Sequence, residues 1–159
     1  MNSMSEEQQK YQQDVGTLLH NLLFSYQKSL KTILGKGAES FVDPTIQLLL
    51  NIDREDNLKL VSSDTLEEAL TNFAAFLEKS GVVKECNWKK TGYEKYVFNV
   101  HDCLWAKCLH KTIQPKDVVC PFGLVAMAIY KRYMKGTVNE RESFYLSNGS
   151  ETILEPLLT

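Results

Sequence analysis

The hydrophobic period of this chain changes at Gly81, and that change limits the fold more than any other feature. Before Gly81, apolar residues return every three or four positions, as on a helix with one packed side. After it, Tyr96, Phe98 and Val100 alternate with Val97, Asn99 and His101, the period of a strand. The expected order is helices, then a hairpin, then two helices, then a hairpin, so helices cluster and strands pair with their neighbours. That order favours an α+β fold, with helices packed on an antiparallel sheet, over a doubly wound parallel sheet.

The first helical stretch is the longest. Ser5, Glu6, Glu7 and Gln8 read as a capping box. Tyr11, Val15, Leu18, Leu19, Leu22, Leu23, Tyr26, Leu30, Ile33 and Leu34 follow as a stripe, and Gly35 and Gly37 supply the stop. We read residues 1–37 as one long N-terminal helix and residues 38–159 as an α+β ligand-binding-like domain. The first turns are too polar for a core. The helix either extends from the body to pair with a second subunit or packs on its own domain.

A second helix is expected from Asp43 as cap and Pro44 in the first turn, with Ile46, Leu48, Leu49 and Leu50 buried. The stretch 53–63 reads as a loop. A third helix, capped at Asp64, carries Leu66, Ala69, Leu70, Phe73, Ala74 and Leu77 and closes at Gly81. A strand over 82–88, a turn over 89–92 and the strand around Phe98 make a hairpin. Short helical segments are expected from Cys103 to Lys111 and from Cys120-Pro121. The latter turns Phe122, Val125, Ala126, Ile129, Tyr130 and Tyr133 inward and ends at Gly136. Strands at Ser143–Leu146 and Thr152–Leu154 flank Asn148-Gly149, a pair suited to a tight type I′ turn.

Composition excludes several classes. The net charge is −2 and the pI about 5.9, with scattered basic residues, so a nucleic-acid binder held by phosphate contacts is not expected. No apolar run reaches the ~18 residues of a membrane span. The polar, acidic start is unlike a secretory signal. The expected compartment is the cytoplasm, where structural disulfides are rare. The four cysteines, Cys86, Cys103, Cys108 and Cys120, then read as buried thiols, metal ligands or redox groups.

Three of those four cysteines and two of the three histidines fall between His101 and Cys120, with Asp102 and Asp117. Thiolate and imidazole together suit zinc, an iron–sulfur cluster or haem iron. Cys103, Cys108, His110 and Cys120 are the candidate metal ligands. Cys103, Cys120, Trp105 and Phe122 are the candidate ligand or redox residues. Specificity is limited, because there is no paired Cys-x-x-Cys. Cys103 and Cys108 sit roughly 140° apart on a helix, and Leu109 breaks the haem-attachment pattern.

Each residue also has a plainer role. Cys120 before Pro121 at a helix start suits a low-pKa thiol, or simply a small side chain closing that start. Cys86 reads as core, as do His20 and Trp105 by packing. His101 reads as structural. His110 reads as a helix-end histidine, a metal ligand or a base beside a thiolate.

Asp102-Cys103, Val119-Cys120-Pro121 and the hairpin around Asn148-Gly149 resemble the vinyl-reductase-like group of archaeal and bacterial small-molecule-binding domains, and their relatives in methanogen signalling proteins. The likeness covers roughly the last eighty residues. It implies a fold shared with haem-NO-binding and vesicle-tethering-subunit domains. Such domains dimerise, bind something greasy, a metal or a haem, and act as sensors rather than enzymes. Cys103 and Cys120 are the residues it carries over. One departure is that the last strand, Glu151 to Leu154, lacks the cysteine often found there.

Three functions compete. The first is a regulatory or sensor domain that binds a small apolar ligand or a metal through the Cys/His segment and acts as a homodimer. The second is a cysteine-dependent enzyme, with Cys120 as nucleophile and His110 as base. The third is an interaction module working through its first helix.

Overall fold

The computed structural model describes residues 6–35, 41–56, 63–106, 110, 118–134 and 143–156. Among them are four helices, α1 (Glu6–Leu34), α2 (Val42–Glu55), α3 (Leu66–Lys79) and α4 (Pro121–Met134). The four strands are β1 (Glu85–Gly92), β2 (Lys95–His101), β3 (Ser143–Leu146) and β4 (Gly149–Leu154). They form one antiparallel sheet in the order β1-β2-β4-β3. The α+β expectation holds.

Alternation decides which residues of the sheet join the main core, although Val97 and Asn99 on the other face of β2 are buried as well. Cys86 on β1, Tyr96, Phe98 and Val100 on β2, and Leu154 on β4 join the main core. Helix α3 adds Leu66, Ala69, Leu70, Phe73, Ala74 and Leu77, the face read from sequence. Its cap lies one residue later than expected. Thr65 Oγ1 accepts from the Glu68 amide at 3.2 Å, and Glu68 reaches back to the Asp64 amide. Thr65 takes the role because its backbone is extended, as an N-cap requires.

Helix α4 departs from its expected single inward stripe. Gly123, Leu124, Ala126, Met127, Ala128, Ile129 and Tyr130 are all buried, while Phe122 and Val125 are only half-buried. The helix packs against α2, α3, β2 and β4, and a helix enclosed on several sides is apolar nearly all round. Asp43 is not the cap of α2. Phe41 holds that position without a side-chain bond, and Asp43 instead pairs with Lys131 of α4. Leu48 is exposed, and α2 runs to Glu55, into the expected loop.

The hairpins are offset from the sequence reading. Val82 and Val83 precede β1, which continues through the expected turn to Gly92; Tyr93 and Glu94 make the reversal, with Glu94 at φ 51°. In the last hairpin Leu146 pairs with Gly149, so Ser147 and Asn148 form the turn. Gly149 opens β4, where a Cβ would overlap the Val100 carbonyl. The glycine is therefore needed for close approach of two strands rather than for a turn. Cys120 stands at the start of α4, with the Leu124 amide bonded to its carbonyl at 2.9 Å. Ser5, Gly37, Cys108, Asp117 and Gly136 lie outside the described residues.

Helix α1 keeps its expected length, and Gly35 ends it at φ 56°. Its orientation is the main surprise. Tyr11, Val15, Leu18, Leu19, Leu22, Tyr26 and Ile33 are exposed, whereas His20 and Phe24 are buried.

Gly149→Ala should destabilise the chain by about 2 kcal/mol or more, because backbone cannot yield to the new methyl. Gly92→Ala, with its nearest side-chain atom at 3.6 Å, should cost under ~1 kcal/mol. Urea unfolding of both variants checks this; equal costs would contradict the close approach.

Candidate functional site

Helix α1 meets the body along Gly16, His20, Phe24 and Gln27, which recur at steps of four, four and three. Gln27 is the fixed point. Its Nε2 donates to the Val119 carbonyl at 3.1 Å, and its Oε1 accepts from the Val119 amide at 3.0 Å. One side chain thus satisfies both backbone groups of the residue before Cys120. Near the other end, Gly16 lies so close to the Trp105 indole that a Cβ would come within 2.9 Å of it. Glycine inside a helix costs about 1 kcal/mol against alanine, and here it admits the indole.

Between these points lies an aromatic cluster. The His20 ring stands 4.5 Å from Phe24, 4.9 Å from Trp105 and 6.4 Å from Phe122. Trp105 stacks on Phe122 at 5.4 Å. Phe24 also meets Tyr145 edge-on at 5.1 Å, and Tyr145 meets His110 at 4.7 Å. Phe24, Val118, Cys120 and Tyr145 form a core cluster separate from the main one. Trp105, Phe122, His110 and Cys120, singled out from sequence, are therefore gathered around α1.

The polar groups here are unusual. Both ring nitrogens of His20, Asn21 Oδ1 and the Tyr145 hydroxyl are buried and have no hydrogen-bond partner among the described residues. His20 is 4% exposed and Tyr145 6%. Leaving such a group unsatisfied costs about 1–3 kcal/mol. His110 differs. Its Nδ1 lies 2.8 Å from the Leu146 carbonyl, and since a carbonyl only accepts, that nitrogen carries the proton.

The thiols are placed by the last hairpin and by α4. Asp102 adopts a left-handed backbone (φ 49°), and Asn148 Nδ2 donates to its carboxylate at 2.8 Å. The Cys103 amide then donates to the Asn148 carbonyl at 2.9 Å. The hairpin tip so fixes where Cys103 sits. The Cys120 amide donates to Ser143 Oγ at 3.3 Å, and Ser143 and Thr152 share a hydrogen bond at 2.9 Å. Gly123 permits this contact, because a Cβ would overlap Thr152 Oγ1. Ser143, Ser150 and Thr152 are buried polar residues under the start of α4, and the sequence reading passed over them.

Burial holds every titratable group of the cluster neutral near pH 7. It lowers His20 to about 4, helped by the nearby His110. It lowers His110 too, against two backbone carbonyls that favour the charged ring. It raises Cys103 to about 11 and pushes Tyr145 well above the usual phenol range. Cys120 is raised as well. This corrects the expectation of a low-pKa thiol at a helix start. The Ser150 hydroxyl and the Phe122 and Gly123 amides do favour the thiolate, but desolvation outweighs them. A thiolate–imidazolium pair of Cys120 and His110 is disfavoured from both sides.

Cys86 lies in the main core, as expected, raised to about 12 by burial. Among the described residues, no three His, Cys, Asp or Glu side chains are placed to hold a metal ion. The four-ligand set for zinc or an iron–sulfur cluster includes Cys108, outside those residues. The described members do not make the site by themselves, and protonated thiols are poor ligands. No helix among the described residues is long and apolar enough to cross a membrane.

Two outcomes are expected. Because the folded pKa of His20 lies at about 4 against 6.5, the unfolded chain binds more protons between these values. The stability from neutral His20 is complete above pH 6.5 and falls progressively towards pH 4. His20→Leu should flatten this acid loss, leaving the smaller share of His110; identical pH profiles for both chains would refute it. At pH 8, Cys86, Cys103 and Cys120 should react with a disulfide reagent at least ~100-fold more slowly in the native chain than in denaturant, read by peptide mapping. Compared with protein-family models, curated proteins and solved structures, the chain matches none.

Proposed function

We propose that this chain is a regulatory domain that binds a small, uncharged, mostly apolar ligand between α1 and the Trp105–Phe122 stack, and that it acts as a homodimer. The observation that carries the ligand is the pair of buried, unpartnered polar groups on His20 and Tyr145 within aromatic walls, with Asn21 Oδ1 a third such atom on α1. A largely apolar site with a few convergent polar groups is the usual form of a small-molecule site. Neutral His20, His110, Cys103 and Cys120 disfavour an anion, which would need cationic partners. They favour a molecule with a ring or short chain and one hydroxyl or amide that can both donate and accept.

The regulatory half rests on the position proposed for the ligand. It would touch α1 on one side and the hairpin and α4 segments on the other, so occupancy would change how firmly α1 is held. The raised thiols favour a binding role over nucleophilic catalysis.

Benzyl alcohol and benzoate serve as probes, read by Trp105 fluorescence in a Trp88→Phe background. Benzyl alcohol should give a saturable change and raise the unfolding temperature, and benzoate should bind at least ~10-fold more weakly. His20→Leu combined with Tyr145→Phe should weaken benzyl alcohol by a similar factor. Equal binding of both probes, or no effect of the double substitution, would count against the reading.

A further inference from the structure

The outer side of α1 carries a pattern that the ligand site does not use. Tyr11, Val15, Leu18, Leu22, Ser25, Ser29 and Thr32 follow one another at alternating steps of four and three. That spacing is the seven-residue repeat of two helices packed along a seam. Leu19, Tyr26 and Ile33 flank it at steps of seven. At 100° per residue this face lies roughly opposite His20, Phe24 and Gln27.

The seam is large on the outside and graded along its length. Tyr11, Val15, Leu18, Leu19, Leu22, Tyr26 and Ile33 are each 55–77% exposed. Together they present on the order of 1,000 Å², against the ~800 Å² that each partner contributes to a standard interface. Its first half carries bulky residues, Tyr11, Val15 and Leu18. Its second half carries Ser25, Ser29 and Thr32, which with Lys28 and Ile33 line a shallow depression. Charge is graded the same way. Glu7 and Asp14, with Lys10, stand in the first half, and Lys28 and Lys31 stand in the second.

The geometry points to a second copy of this chain as the occupant, its α1 running antiparallel across the first. Two-fold pairing around the level of His20 sets Tyr11 over Ser29 of the second copy and Val15 over Ser25. Leu18 then meets Leu22. Large side chains fall on small ones, which a parallel pairing would not give. Asp14 and Lys28 occupy equivalent flanking positions, so the same rotation brings opposite charges together. The contact is self-complementary and closes as a dimer. This inference rests on the homodimer half of the reading above and is independent of its ligand half. Helix α1 then holds the ligand on one face and the second copy on the other.

Sedimentation of the full chain from roughly 1 to 100 µM tests it, beside cross-linking in a Cys108→Ser background. A dimer is expected, and Leu22→Asp should make it monomeric with unchanged far-ultraviolet circular dichroism. Under mild oxidation, Val15→Cys mixed with Ser25→Cys chains should cross-link, and neither alone should. A native chain that stays monomeric throughout overturns both the seam and the homodimer reading. A dimer that survives Leu22→Asp overturns the seam alone and leaves a homodimer on another surface. Val15→Cys chains that cross-link to themselves overturn the antiparallel order. Retention of benzyl alcohol binding by monomeric Leu22→Asp supports the independence of the two faces, and its loss refutes that independence.

Discussion

The paired hydrogen bonds between Gln27 and the backbone of Val119 govern how α1 is joined to the rest of the chain. A glutamine amide has the donor and acceptor of a peptide group, so it can stand in for a neighbouring strand. Each bond contributes only about 1 kcal/mol net, but their position matters more than their strength. Val119 precedes the cysteine that opens α4. Fixing it to α1 sets the angle at which the long helix crosses the body. It also determines which of the two α1 faces is hidden.

The remaining contacts of α1 follow from that choice. Phe24 sinks among Tyr145, His110 and Val118, and Gly16 makes room for Trp105. Burying a phenylalanine stabilises by roughly 1.5–3 kcal/mol, enough to carry His20 into the same contact and to bury Asn21 Oδ1 beside it in sequence. Those residues are neutral but unsatisfied, an arrangement that costs stability and that a purely structural contact would have little reason to keep. A bound molecule would recover that cost. The opposite face is left with exposed leucines and tyrosines on a regular seven-residue spacing. Among the described residues, the unpartnered polar atoms of His20 and Asn21 and the exposed apolar seam thus lie on one helix.

Local pattern made much of the fold legible. The stripe of α3, the alternation of β2, the length of α1 and the sites of both hairpins could be read because period and turn chemistry act over a few residues. The errors have a common origin in longer-range contact. Asp43 reads as a cap until Lys131 of α4 is known to pair with it. Asn148-Gly149 reads as a turn until the Val100 carbonyl is found against Gly149. The site was legible in its residue types around Trp105, Cys103, Cys120 and Phe122, but its chemistry was not. Cys120 does meet the helix-start amides expected of it, and complete burial reverses their effect on the thiol. His20, read as packing, carries the more informative chemistry. Its signal was the second stripe through Gly16, His20, Phe24 and Gln27, masked by the stronger apolar one.

Helix α1 is docked by its His20 face, with that imidazole enclosed and neutral. Nuclear magnetic resonance of the His20 ring nitrogens across a pH titration measures this directly. A neutral ring is expected throughout the range from pH 7 to 5, with a midpoint at about 4. A midpoint near the ordinary 6.5 would place His20 in water and contradict both the docking of α1 and the site built on it.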